Sequence, residues 1–134
     1  RSELGFAAAQ TAAAIESSNA SLSAELKDEA VSLTEEVLNN SPKNASFYRS
    51  AVRTYFELSL IDPKFTDKTL QTLDQSIRLA PTDPKLYYNK ALILGSVNRK
   101  EEQLKALEKA LQLKPNYLEA LALLKEATGS AKTN

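Results

Sequence analysis

The chain has 134 residues, 17 Lys+Arg against 17 Asp+Glu, and no histidine, cysteine, methionine or tryptophan. Without cysteine there is no disulfide, thiolate metal site or thiol nucleophile, and without histidine the usual general base and commonest metal ligand are gone. A formal net charge of zero argues against a nucleic-acid binder that works by neutralising phosphates. The balance holds only in total: residues 1–40 sum to −5, 41–83 to +1 and 84–134 to +4. The start at Arg1 and the lack of methionine predict a processed product or a fragment. The apolar run from Leu4 to Ile15 is mostly alanine, too short and too weakly apolar to span a bilayer.

Helical spacing runs the length of the chain, and strand signals are nearly absent. The first helix is expected over about Ser2–Ser17, with a stripe of Leu4, Ala7, Ala8, Thr11 and Ile15. A polar break follows, in which Asn19 and Ser21 are natural N-caps. The second helix carries Leu22, Leu26, Ala30, Leu33, Val37 and Leu38 and stops before Pro42. The third starts after Asn44 and runs to about Leu60, with Phe47/Tyr48, Ala51/Val52, Tyr55 and Leu58 on its stripe. Asp62-Pro63 reads as a cap followed by a first helical proline, opening a fourth helix with Leu70, Leu73 and Ile77. Asp83-Pro84 repeats that start for a fifth helix with Leu86, Tyr87, Ala91 and Leu94, left through Gly95-Ser96-Val97-Asn98. A sixth is expected over about Lys100–Lys114, with Leu104, Leu107, Ala110 and Leu111. A seventh holds Leu118, Leu121, Leu124 and Ala127 and frays at Gly129.

Self-alignment shows a repeat. Ser41-Pro42-Lys43-Asn44 lies over Ala80-Pro81-Thr82-Asp83, and Lys114-Pro115-Asn116-Tyr117 opens a third copy. Pro42 and Pro81 are 39 residues apart, Pro81 and Pro115 are 34. The second spacing is the tetratricopeptide (TPR) period. The five extra residues of the first interval are expected between its helices, around Leu60 to Asp67.

Residues 84–115 resemble the TPR family through Tyr87, Ala91, Leu94, Leu107, Ala110-Leu111 and Pro115. Lys90 stands where leucine is usual, and Gln103 where a small alanine normally lets the helices approach. Residues 45–81 match through Tyr48, Val52, Tyr55, Leu73, Ile77 and Pro81, and residues 1–42 through Ala30 and Pro42. The resemblance implies an all-α fold: an α-solenoid of three TPR-like helix-turn-helix pairs plus a C-terminal capping helix. The expected single domain covers 1–134, with repeats at about 1–42, 43–81 and 82–115 and a capping helix at about 116–130. More narrowly, the stretch from Asn40 to Asn89 resembles the TPR tail of bacterial O-antigen polymerase/ligase-like membrane proteins. That resemblance implies a regulatory or assembly tail, tethered to an inner membrane by other segments.

No catalytic constellation emerges. Gly5, Gly95 and Gly129 are isolated, so there is no phosphate loop. Glu35-Glu36 and Glu101-Glu102 are neighbours that a helix turns about 100° apart. No enzyme activity, cofactor or metal is expected. Asn19-Ala20-Ser21 and Asn44-Ala45-Ser46 fit the glycosylation sequon, but both asparagines sit where helix caps are expected.

The TPR register implies a groove lined by Ser46, Arg49, Ser50, Arg53, Phe56 and Glu57 in the second repeat. In the third it implies Lys85, Tyr88, Asn89, Leu92 and Ser96. The echo of Arg49-Ser50 in Arg1-Ser2 adds Arg1, Ser2, Gly5, Ala8 and Ala9 in the first. Two guanidiniums can grip a carboxylate and the aromatics can seat an apolar anchor. Alternatively, the arginines pair with Glu57 or with an acid of a neighbouring helix. The lysine/asparagine clamp of chaperone-binding TPR domains is matched at Asn89 but not at Gly5 or Arg53. The expected partner is a protein or peptide, with no nucleic acid and no membrane insertion by these residues. Self-association through Leu118, Leu121 and Leu124 is a further expectation.

Overall fold

A computed structural model describes residues 2–15 and 19–132. Among them are seven helices: α1 (Ser2–Ile15), α2 (Ala20–Asn40), α3 (Ala45–Ile61), α4 (Phe65–Leu79), α5 (Pro84–Ser96), α6 (Lys100–Leu113) and α7 (Leu118–Lys132). They pair as hairpins, α1 with α2, α3 with α4 and α5 with α6, and α1 also packs on α3. The chain divides into two compact units, Arg1–Leu79 and Ala80–Asn134. No described helix is long and apolar enough to cross a membrane. Groove positions expected at Arg1 and on the Ser2 side chain, and the break at Ser17-Ser18, lie outside what is described.

The helix starts follow the sequence signals. The Asn19 side-chain oxygen accepts from the Leu22 N–H at 2.9 Å, and that of Asn44 from the Phe47 N–H at 3.2 Å. Each cap satisfies one of the orphan donors of a first turn, a contribution of about 1 kcal/mol. Asp83 caps α5 through the Lys85 N–H, with Pro84 at the first helical position. Arg99 precedes α6 without a side-chain cap. Its guanidinium instead holds Glu102 through two 2.8 Å bonds, keeping that carboxyl below its ordinary range.

Pro63 does not open α4. It lies in a three-residue turn, where the Asp62 carboxylate accepts from the Lys64 N–H and the Asp62 carbonyl from the Phe65 N–H. The five extra residues of this repeat do not make a longer connection either. α3 has 17 residues and α5 has 13, α4 has 15 and α6 has 14, and three residues separate the helices of each pair. The insertion is absorbed as roughly one more turn of α3.

In the first unit the buried face of α1 differs from the expected stripe, and that of α2 differs in part. Gly5, Ala9 and Ala12 are buried, whereas Leu4 is 62% exposed. On α2 the expected Ala30 and Val37 are buried, but Ser23 and Thr34 join them and the expected Leu22 is exposed. The reason is close approach: a Cβ built on Gly5 would lie 2.9 Å from Thr34 Oγ1 and 3.4 Å from the Ala30 carbonyl. Only small residues fit there, and larger leucines are displaced to the flanks. The buried hydroxyls are satisfied locally, Thr34 donating to the Ala30 carbonyl at 2.7 Å and Ser23 to that of Ala12 at 3.0 Å. Ala9, Ala30, Ala51, Tyr55 and Leu58 form the core cluster, with Phe65 stacked on Tyr55 at 6.4 Å.

In the second unit the expected Leu86, Ala91, Leu94, Leu107 and Ala110 are buried in the α5–α6 seam, joined by Ala106, while the expected Tyr87, Leu104 and Leu111 are half-buried. Here α7 departs from expectation twice. It continues past Gly129 to Lys132, and the expected Ala127 is buried together with Ala120 and the preceding Tyr117 rather than with the leucines. Leu118 and Leu121 are 74% and 41% exposed.

Candidate functional site

The expected site residues fall into two groups, one in each unit. In the first, Ser46, Arg49 and Arg53 are exposed on α3, Phe56 is at the edge of exposure, and Ser50 and Glu57 are half-buried. Arg49, Arg53 and Phe56 share a face by their i,i+4,i+7 spacing. That face meets α1. Arg53 Nη2 donates to Glu3 Oε1 at 3.1 Å, and the guanidinium carbon lies 4.6 Å from the centre of the Phe6 ring. Arg53 is therefore engaged by an acid of a neighbouring helix. Gly5 and Ala9, expected in the groove from the Arg-Ser echo, are buried instead.

In the second unit Tyr88, Leu92 and Ser96 succeed each other along α5 at intervals of four residues. The Tyr88 ring packs on Tyr117 with centroids 5.3 Å apart and planes tilted by 41°. Lys114 Nζ lies 4.9 Å from the centre of the Tyr117 ring. Burial, and then Glu119, raise the Tyr117 pKa. Farther along, Leu92 and Ser96 line a cleft of about 600 Å³ with Asn98, Lys100, Gln103, Leu123 and Glu126. Leu92 is 43% exposed at its edge. Lys85 is exposed and Asn89 half-buried on the same helix, and neither lines the cleft.

Sequence reasoning missed Tyr117, Leu123 and Glu126. The signal was available for two of them. One further 34-residue period carries Asn89 to Leu123 and Leu92 to Glu126, so α7 continues the register of α5. Asn98 and Lys100 could not be found that way, because they come from the α5–α6 turn and the first residue of α6. Asn98 has a positive φ of 61°, and the Arg99 N–H bonds to the Leu94 carbonyl at 3.0 Å, which folds the turn back over the end of α5.

The tetratricopeptide repeat family model matches residues 84–117. A curated relative, the peroxisomal targeting signal receptor of Saccharomyces cerevisiae, is 29% identical over 90 residues. The match covers 58% of this chain, and the chain spans about 15% of that relative's length. Among solved structures, the first TPR of Spaghetti (RPAP3) bound to an HSP90 peptide SRMEEVD is 18% identical, with a TM-score of 0.64. That match covers 98% of this chain and 96% of that one. The Arabidopsis OM64 TPR domain is 19% identical with a TM-score of 0.63, covering 94% of this chain and 98% of that one. With seven helices and no strand among the described residues, the fold is the all-α TPR fold.

Proposed function

We propose that the chain is a non-catalytic interaction module that binds a peptide or partner segment, with the α5–α7 face of the second unit as its principal site. The observation that carries this reading is the line Tyr88, Leu92, Ser96 leading into the cleft. It joins an aromatic pair, an exposed leucine and a rim of Asn98, Lys100 and Gln103. An aromatic beside an apolar recess is where binding energy concentrates, and polar groups around it fix orientation. Lys85 and Asn89 flank the line. In the first unit Ser46, Arg49, Ser50, Arg53 and Phe56 offer a separate contact surface. The solved structure of the first TPR of Spaghetti carries an HSP90 peptide, which supports peptide binding as a use of this fold.

The test is a displayed-peptide library panned on the folded chain, followed by titration of the selected peptides. Selected peptides should carry an apolar anchor and lose at least about tenfold in affinity on Leu92→Asp, as expected for a central interface residue. Failure to select any peptide, or selection insensitive to both Leu92→Asp and Tyr88→Ala, would reject the site. The peptide SRMEEVD serves as a control and should bind weakly, because Arg53 is held by Glu3 and Gly5 is buried.

A further inference from the structure

A second cleft, of about 490 Å³, lies wholly in the first unit, lined by Glu35, Leu38 and Asn39 of α2, Tyr48 and Tyr55 of α3, and Lys68 and Thr72 of α4, with Pro42 between. Tyr55 is two residues from Arg53, so the two leave α3 about 200° apart and the cleft is not part of the Arg49–Arg53 surface.

The Tyr55 side chain is completely buried, and its hydroxyl has no hydrogen-bond partner. Buried hydroxyls are rarely left so, because an unmet one forfeits the bonds it had in water. The other polar groups of the cleft do not supply the acceptor. Thr72 Oγ1 donates to the Lys68 carbonyl at 2.8 Å and does not accept from the Tyr55 hydroxyl. The Glu35 carboxylate takes Lys68 Nζ at 3.3 Å, and that ammonium lies 5.6 Å from the centre of the Tyr55 ring. The ion pair leaves the cleft electrically balanced, so an ionised guest would have to break it. A neutral acceptor would not. Leu38, Pro42 and Tyr48 supply apolar surface, and the Asn39 amide can donate and accept at the rim.

We propose that this cleft binds an uncharged amide carbonyl carried beside an apolar group, the chemistry of a peptide bond next to an apolar side chain, with the Tyr55 hydroxyl donating to the carbonyl. The half-exposed Lys68 side chain lies over the ring, and a shift of that side chain with its ammonium kept on Glu35 opens the hydroxyl to the guest. Burial, then Glu35, push the Tyr55 pKa up to about 12, so the hydroxyl keeps its proton and remains a donor through the ordinary pH range.

The probe is N-acetyl-leucine methylamide, titrated into the ¹⁵N-labelled chain, with N-acetyl-leucine as its carboxylate counterpart. Saturable shifts are expected at Glu35, Asn39, Tyr48 and Thr72 with the amide, and no tighter binding with the carboxylate. Tyr55→Phe, which keeps the ring and removes the unpartnered group, should fold normally and weaken binding about fivefold, the value of one hydrogen bond. Asn39→Trp, at an exposed rim position, should block the cleft and carries the test if Tyr55→Phe misfolds. Unchanged affinity in Asn39→Trp, shifts that map elsewhere, or no saturable shift (the hydroxyl then being served by trapped water only) would overturn the proposal.

Discussion

Gly95 and Gln103 fit each other across the α5–α6 pair. A Cβ on Gly95 would come within 3.0 Å of Gln103 Cδ and closer still to its amide nitrogen, so the glutamine occupies the space the glycine leaves. Gln103, at a position where the TPR pattern has a small residue, is thereby buried rather than a wedge between the helices. The exchange predicts a coupled pair. In the Gln103→Ala background, Gly95→Ala should stabilise by about 0.5–1 kcal/mol, the usual helix gain over glycine. With Gln103 present the gain should vanish or reverse. Urea unfolding of the four proteins reads the coupling directly.

Gly5 faces a harder neighbour. The nearest atom to its missing Cβ is Thr34 Oγ1, itself bonded to the Ala30 carbonyl. That hydroxyl cannot turn away without leaving a buried carbonyl contact behind. Gly5→Ala should therefore cost about 1–3 kcal/mol, an overpacking effect. Gly5→Ala with Thr34→Ala should recover most of the loss. Equal unfolding midpoints for wild type and Gly5→Ala would mean that α1 and α2 separate freely.

These two glycines mark how far the sequence could be read. Caps at Asn19, Asn44 and Asp83 and the repeat spacing of Pro81 and Pro115 are local signals, and the structure meets them. So is the core face of α3, where large residues alternate with polar ones. The faces of α1 and α7 were misread because their alanines carry little periodic contrast. Leu4, Leu118 and Leu121 drew the stripe toward themselves, while the close-packed positions include Gly5, Ala9, Ala12 and Ala120, and of the expected α7 stripe only Ala127 is buried. The placement of Arg53 against Glu3 needs a contact between residues 50 apart, which no single-sequence pattern encodes.

Tyr55 makes stability depend on alkaline pH. Its folded pKa, about 12, lies above the ordinary 10.0, so the folded state keeps a proton that the unfolded state releases. The contribution is fully present below pH 10 and is lost as pH rises from about 10 toward 12. The slope is about 1.4 kcal/mol per pH unit within that window. Tyr55→Phe should flatten that slope, leaving the smaller decline that Tyr117 supplies in the same direction. Tyrosinate absorbance should show Tyr55 of the folded chain titrating about two pH units above its unfolded value.

The Glu3–Arg53 pair is exposed on both sides, so Glu3→Gln should cost less than about 1 kcal/mol, and less again at high salt. Arg53→Lys keeps the charge but loses the planar group over Phe6. It should therefore lose stability that salt does not screen. Chemical unfolding at low and high ionic strength separates the two, and identical salt dependence for both variants would show that the ring contact contributes nothing.

The proposed binding at the α5–α7 face rests on Tyr88 being held by Tyr117 while Leu92 stays open. Tyr88→Ala removes both the aromatic contact surface and the support of its partner ring, an aromatic pair being worth about 0.5–1.5 kcal/mol beyond burial. It should lower stability modestly and peptide affinity by at least about tenfold. Leu92→Ala, at an exposed position, should lower affinity without moving the unfolding midpoint. Leu118→Ser is the control: that side chain is 74% exposed on another part of α7, and peptide affinity should not change. Sedimentation of wild type and Leu118→Ser at two concentrations then separates peptide binding from any copy-to-copy contact through the outward leucines. Peptide affinity that falls with Leu118→Ser but not with Leu92→Ala would place the binding surface on the outer face of α7 instead.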